Sequence, residues 1–466
     1  MSDEFDVIVI GGGAAGENAA AYARANGLEV AIVERDLVGG ECSYWACMPS
    51  KALLRPGEVL AAARRVPGAA PAVAGTVDVA ATFDSRDAFT SHWDDKYQVQ
   101  WIEGTGAELV RGHARLASDR TVAVAAADGT KRTLTARRGV VVATGSSAVI
   151  PPIEGLRDIA VWDSRDVTSA TQVPGRLLVL GGGVVGVEMA QAYRRLGADE
   201  VTIIEMADRL LPAEEPFVDE HLREAFDAEG ITVRVGATAV RADRDGVDEP
   251  VTLTLDDGTA LEADEILVAT GRRPNTTDLG LDTVGLEPGR SIDTDDQLRA
   301  TGVDGGWLYA IGDVNGRALL THHGKYQARL VGDHLAGRHV EARADHDAVV
   351  RVVFTDPQVA AVGLTVAAAR QRGRETDVLS YDLGNIAGSA LLGKGVTGTA
   401  QLVVDHATRT VVGATFTGPG VGEMLHAATI AIVSGTTLDQ LWHAVPAFPT
   451  VSEVWLRLLE ADRGTA

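Results

Sequence analysis

The chain has 466 residues, 45% hydrophobic and 23% charged, the proportions of a folded globular protein rather than a disordered one. Asp and Glu number 65 against 42 Lys and Arg, and the formal charge of −23 excludes nucleic-acid wrapping and docking on anionic lipid. No apolar run reaches a membrane span, the N-terminus shows no basic secretory leader, and two cysteines are too few for a disulfide-stapled secreted fold, so a cytoplasmic protein is expected.

Phe5 to Ile10 is an almost unbroken apolar run, as a strand buried on both faces requires. Gly11-Gly12-Gly13-Ala14-Ala15-Gly16 follows, then an alanine-rich helix from Asn18 to Ala25, a strand from Leu28 to Val33, and Glu34 at its end. In this pattern Gly11 permits the tight turn, Gly13 lets backbone approach a pyrophosphate, and Gly16 lets helix and strand pack closely. The helix N-terminus faces the phosphates, and Glu34, 18 positions after Gly16, accepts hydrogen bonds from a ribose.

The only cysteines, Cys42 and Cys47, stand in Gly39-Gly40-Glu41-Cys42-Ser43-Tyr44-Trp45-Ala46-Cys47-Met48-Pro49-Ser50-Lys51. A helix is predicted to start near the first and to continue or re-enter around Ser50. This spacing can close a reversible disulfide, and the helix N-terminal field stabilises a thiolate. The alternative is a pair of buried core thiols. Zinc is disfavoured because two thiolates need two further ligands and no local histidine supplies them, so no metal is expected.

The alanine-rich stretch 60–81 reads as a helix end and a surface loop. A helix with Trp93, Tyr97 and Trp101 is predicted from Ser85 to Gly104, and short strands over 107–142. Val140 to Ala143 closes a strand before Thr144-Gly145, and Pro151-Pro152 and Pro174-Gly175 punctuate the next crossing. The first unit then recurs 170 positions on: strand Arg176–Leu180, turn Gly181, Gly183 and Gly186, helix Val187–Leu196, strand Val201–Ile204, and Glu205. Glu205 would repel a 2′-phosphate and favours NAD over NADP, with Arg209 close enough to oppose it. A helix over 215–229 follows. Ile266 to Ala269 leads into Thr270-Gly271, and Leu308 to Ile311 into Gly312-Asp313. From Val349 the chain reads as α+β, with strands near 349–354, 399–404 and 411–416 and helices near 423–434 and 451–460.

Together these motifs resemble the flavoprotein disulfide reductases, the pyridine nucleotide-disulfide oxidoreductase family, over nearly the whole chain. The resemblance implies an α/β fold with two Rossmann-like dinucleotide-binding domains and a C-terminal α+β dimerisation domain. The expected parts are 1–150 and 271–345 for FAD, 151–270 for NAD(P) and 346–466 for dimerisation. It assigns Gly11, Gly13, Gly16 and Glu34 to the ADP part of FAD, Gly312 and Asp313 to the second FAD motif, and Gly181, Gly183, Gly186 and Glu205 to NAD(H). Thr144-Gly145 and Thr270-Gly271 resemble the connecting motifs. Cys42 would exchange with substrate, Cys47 would lie against the flavin, and Lys51 would pair with Glu188 beside flavin N5. Within the family the pattern is most similar to lipoamide dehydrogenase. Val184 stands where glutathione reductases usually carry a gating tyrosine. Mercuric reductases usually carry further C-terminal cysteines, and none follows Cys47.

One departure matters most. The family's catalytic base is a histidine before Pro-Thr, with a glutamate five positions later; here the segment is Phe448-Pro449-Thr450-Val451-Ser452-Glu453. Glu453 is kept, but a phenyl ring carries no proton, so efficient thiol–disulfide turnover is not expected. His443 upstream is a candidate replacement, and His322 and His323 after the second FAD motif are further ones. Tyr44 and Ala46 also stand where the family usually has asparagine and glycine, with bulky Trp45 between them. With Phe448, Tyr44 and Trp45 form either an aromatic wall for a flat or apolar substrate or local packing. The expected activity is therefore electron transfer from NADH through FAD and Cys42–Cys47 to a small oxidant. The alternatives are direct reduction of a quinone by flavin, and a non-catalytic redox sensor. A homodimer is expected, in which Phe448 and Glu453 approach the partner subunit's Cys42.

Overall fold

In the computed structural model, which describes residues 3–247 and 249–464, Glu4–Ile10 is a strand whose Val7, Ile8, Val9 and Ile10 are all buried. It pairs in parallel with Val30–Glu34 on one side and with Lys131–Val142 on the other, so it is a central strand with no free edge. Each such side chain contributes roughly 1.5–3 kcal/mol by leaving water. The sheet runs Glu108–Arg111, Val30–Glu34, Glu4–Ile10, Lys131–Val142, Thr121–Ala125, His113–Ser118. Lys131–Val142 changes partners along its length. Its first residues lie antiparallel to Thr121–Ala125, and Val140–Val142 run parallel to Leu308–Ala310. That exchange places Gly312 and Asp313 at the carboxyl end of the parallel strands, where ligands bind in such sheets.

The helix after the glycine turn is Ala14–Ala25, four residues earlier than the sequence predicts, because Gly13 already serves as its N-cap. The second glycine turn repeats this arrangement: Gly183 caps helix Val184–Leu196. A Cβ on Gly16 would lie 1.9 Å from the Gly11 carbonyl oxygen, and one on Gly186 would lie 1.9 Å from that of Gly181. No other residue closes either turn.

Packing divides the chain into two units. One comprises Met1–Pro49, Arg86–Val149 and Arg272–Asp345; the other comprises Ser50–Ser85, Ile150–Gly271 and His346–Ala466. The second contains a parallel sheet in the order Ile231–Val235, Glu200–Glu205, Arg176–Leu180, Glu265–Val268. It also holds a three-stranded antiparallel sheet over 239–263 and a five-stranded antiparallel sheet. The latter runs Val350–Val353, Gln358–Gly363, Val411–Gly418, Thr399–Asp405, Thr376–Asp382, with helices Val421–Val433 and Val454–Asp462. The architecture is thus the expected α/β arrangement with an α+β C-terminal region.

One predicted element is corrected. The single helix over Ser85–Gly104 is instead helix Val79–Phe89, a turn at Ser91–Trp93, and helix Lys96–Gly104. Ser91, His92 and Trp93 have φ of 52°, 52° and 57°, so three successive non-glycine residues are left-handed. Each costs roughly 1–2 kcal/mol against the right-handed form.

Candidate active site and nucleotide sites

Both glycine turns are built on an acid. Gly12 N–H donates to Glu34 Oε2 at 2.6 Å, and Asp36 N–H to Oε1 at 2.7 Å. In the repeat, Gly182 N–H donates to Glu205 Oε2 at 2.5 Å, and Ala207 N–H to Oε1 at 2.7 Å. Each carboxylate oxygen keeps a lone pair for a ribose hydroxyl. Neither following helix has a side-chain N-cap, so its first N–H groups face the turn ready for phosphate oxygens. A cleft of about 310 Å³ opens beside Glu34, lined by Arg35, His113, Thr144, Asn275 and Asp278. Thr144 lines it beside Asn275, whose carbonyl takes the Thr144 hydroxyl at 2.9 Å and whose N–H donates to the Gly145 carbonyl. Asp313 accepts the Ser146 hydroxyl at 2.5 Å, and Arg272 Nε donates to the same hydroxyl at 2.7 Å. Gly312 N–H is held by Gln327. Gly271 has a φ of 139° and no neighbour over its open side.

The thiols lie on two short-range elements. Cys42 is in helix Gly40–Tyr44, and Cys47 opens helix Cys47–Arg65, the re-entry expected around Ser50. The loop packs on the first glycine turn: Gly39 N–H donates to the Gly12 carbonyl, and a Cβ on Gly40 would stand 2.8 Å from Gly13 Cα. Both cysteines are in the thiol form and lie side by side. The interaction with Cys47, with burial, pushes the Cys42 thiol far above its ordinary range. Two groups pull the other way. Thr321, the first residue of helix Thr321–Leu335, has its hydroxyl 3.3 Å from Cys47 Sγ and also bonded to Cys42, and the Lys325 ammonium adds positive potential. Sequence reading missed Thr321 and Lys325; the available signal was a helix start shortly after Gly312-Asp313.

Lys51 Nζ lies 2.8 Å from Glu188 Oε2, the pairing the resemblance implies, and its ammonium stands 4.8 Å from the Phe354 ring centroid. Glu188 is 2% exposed, and its other oxygen takes the Phe354 N–H at 2.9 Å. A buried carboxylate is tolerable there because both oxygens are satisfied. Arg209 turns away from Glu205: its guanidinium donates to the carbonyls of Pro212 and Glu214.

Tyr44 does not form part of a substrate wall. It is fully buried, and its hydroxyl donates to the Val38 carbonyl at 3.1 Å, so this side chain is local packing. Phe448 is 73% exposed in the single chain. Glu453 is buried; Arg457 donates to its Oε1 at 2.6 Å, while Oε2 has no hydrogen-bond partner among the described residues. A Cβ on Gly388 would come 2.1 Å from the Thr450 carbonyl carbon, so that glycine seats the segment. His443 is exposed at the end of helix Leu438–Leu441. His323 is buried against Asp345 at 3.0 Å, and His322 lies beside it with ring centroids 5.2 Å apart.

Residues 5–328 match the family model described as pyridine nucleotide-disulphide oxidoreductase, and residues 349–458 match its dimerisation domain. The chain belongs to the pyridine nucleotide-disulphide oxidoreductases. It is 36% identical over 464 residues to a dihydrolipoyl dehydrogenase of Chlorobaculum tepidum, covering 97% of this chain and 96% of that one. It is 30% identical over 456 residues to a mercuric reductase of Staphylococcus aureus, covering 97% and 81%. Among solved structures it resembles LpdA from Mycobacterium tuberculosis, with TM-score 0.84, 25% identity and 98% and 99% coverage. The Cu(II) complex of the C43S mutant of RclA, an HOCl-induced flavoprotein disulfide reductase from Escherichia coli, shares the fold, with TM-score 0.86 at 22% identity over 98% and 99% of the chains. Family membership makes this a flavoprotein oxidoreductase that binds FAD, and the residues present fit that group: capless helix, ribose acid, lined cleft and Asp313 lie in one unit. Among the described residues no helix is long and apolar enough to cross a membrane.

Proposed function

We propose that the protein takes electrons from NADH in preference to NADPH and passes them to the Cys42–Cys47 disulfide and then to a small oxidant. FAD, when bound, supplies the two-electron chemistry that links nicotinamide to disulfide. The observation that carries the reading is the proximity of the two thiols, with the Thr321 hydroxyl 3.3 Å from Cys47 Sγ. Reduction of the disulfide breaks one S–S bond and takes two electrons and two protons. The dithiol is then returned to disulfide as the acceptor takes the same two electrons. Lys51 and Glu188 provide the fixed charge pair of the hydride-transfer region, and Asp313, Glu34 and the first glycine turn hold FAD. The preference for NADH is supported by Glu205 on the second turn and by Arg209, whose guanidinium is engaged by backbone carbonyls.

The acceptor follows from the C-terminal segment. Phe448 can neither receive the Cys42 proton nor protonate a departing thiolate, and Glu453 has lost its usual partner. Disulfides with poor leaving groups are therefore poor substrates. An activated disulfide or a quinone avoids the missing proton transfer. The residues named in the nucleotide and thiol sites, and a homodimer built on residues 349–458, complete the proposal.

The alternative, in which a quinone is reduced directly by flavin, is favoured by Phe448 alone. Steady-state quinone reduction by Cys42→Ser and Cys47→Ser separates the two. Loss of rate in both supports the proposal, and wild-type rates in both support direct reduction.

A further inference from the structure

The strained turn Ser91–Trp93 bears on the thiols. Trp93 indole N–H donates to the carbonyl of Tyr44, midway between Cys42 and Cys47, at 3.2 Å. Two residues on, Asp95 Oδ2 takes the N–H of Val38 at 2.8 Å, just before Gly39-Gly40 and Cys42. Tyr44 hydroxyl closes the loop on itself by donating to the Val38 carbonyl. One short segment thus ties the cysteine loop at its entry and at its centre.

The segment is itself braced. Arg86, 1% exposed, lies with its guanidinium 5.7 Å from the Trp93 ring centroid and pairs with Asp87 at 2.7 Å. Arg111 pairs with Asp95 at 2.5 Å. Within the turn, Trp93 N–H bonds to the Thr90 carbonyl and Asp94 N–H to that of Ser91. Three left-handed residues with side chains persist only where surrounding contacts over-determine them. The contact they deliver is the Trp93–Tyr44 bond: a right-handed continuation of helix Val79–Phe89 would carry the indole elsewhere.

We propose that Trp93 is a positioning residue that sets the redox poise of the Cys42–Cys47 pair. Closing the disulfide requires the loop to hold both sulfurs near bonding distance. A loop already fixed loses less conformational freedom on closure, so the disulfide is favoured over the dithiol. Freeing the Tyr44 carbonyl restores that freedom to the dithiol and shifts the balance toward it. The inference rests on the reading of these cysteines as a redox pair.

The test equilibrates the FAD-loaded protein with dithiothreitol and its cyclic disulfide, in which protein disulfide plus dithiol gives protein dithiol plus cyclic disulfide. The fraction of reduced protein is read from the mass added by alkylation of Cys42 and Cys47. Trp93→Phe keeps a ring over Arg86 and removes the donor. It is expected to move the equilibrium constant toward dithiol by about five-fold, within the roughly two- to twelve-fold that one net hydrogen bond covers. Alkylation of Cys42 is expected to be faster, with bound FAD unchanged. Asp95→Ala, which cuts the other tie, is expected to act in the same direction. His92→Gly, which adopts the same left-handed turn at lower cost and keeps both ties, is expected to leave the equilibrium unchanged. An unchanged equilibrium in folded, FAD-loaded Trp93→Phe and Asp95→Ala overturns the proposal. A wild-type protein whose cysteines do not titrate at all overturns the redox-pair reading with it.

Discussion

Cys42 has to lose a proton before it can attack a disulfide, and its environment resists that loss. The interaction with Cys47 and burial raise its pKa, so the folded state holds this proton more tightly than an unfolded chain does. The corresponding stabilisation is complete below the ordinary thiol pKa of about 8.5 and declines as pH rises above it. In the reduced protein, Cys42 alkylation by iodoacetamide is therefore expected to keep rising through pH 9 without a plateau; a plateau below pH 8 would contradict the assignment. A base at position 448 would relieve this block. Phe448→His is expected to raise dithiol–disulfide turnover by about 10²-fold or more, because an imidazole there supplies the general acid–base group that the phenyl ring lacks. No gain would show that proton transfer is not limiting; loss of the wild-type rate in His443→Ala would show that His443 supplies it. At the nucleotide turn, Glu205→Gln keeps an acceptor for Gly182 N–H but removes the charge. The ratio of kcat/KM for NADH to that for NADPH is expected to fall, and an unchanged ratio would place the preference elsewhere. The Lys51–Glu188 pair was legible in the sequence because motif positions name both residues. Thr321 and Lys325 were not, since nothing local to them announces a thiol neighbour 274 positions away in the case of Thr321.

Elements with a periodic apolar pattern or a glycine turn matched the sequence reading, and those governed by tertiary contacts did not. The strand Glu4–Ile10 and both glycine turns follow from local chemistry. Strands Gln358–Gly363 and Thr376–Asp382 went unread because the first is rich in alanine and glycine and the second is bounded by charge, both weak strand signals. The break at Ser91–Trp93 carries no glycine or proline, so a continuous helix was the natural expectation. His92 is exposed there and left-handed, and His92→Gly is expected to raise the unfolding free energy by about 1 kcal/mol in urea titration. A decrease would mean that its side chain contributes more than its backbone costs. Gly388 gives the opposite case. Gly388→Ala would drive a methyl into the Thr450 backbone, with an expected loss of about 1–3 kcal/mol that reports how firmly the 448–453 segment is seated.

At the scale of the whole molecule, the repeat at 170 positions made two nucleotide sites legible, and the family match over residues 5–328 and 349–458 supports that reading. The purified protein is expected to be yellow with FAD and dimeric by light scattering. A stable monomer with full turnover would contradict a site shared between subunits. The partition into units was harder to read, because residues 50–85 join the second unit although they lie between two segments of the first. Anaerobic reduction tests the account most directly. The oxidised, FAD-loaded protein is mixed with two equivalents of NADH, quenched with an alkylating reagent and weighed by mass spectrometry. Electron delivery to the pair is expected to label both Cys42 and Cys47, the only two cysteines in the chain. A bleached flavin with neither cysteine labelled would show that electrons stop before the thiols.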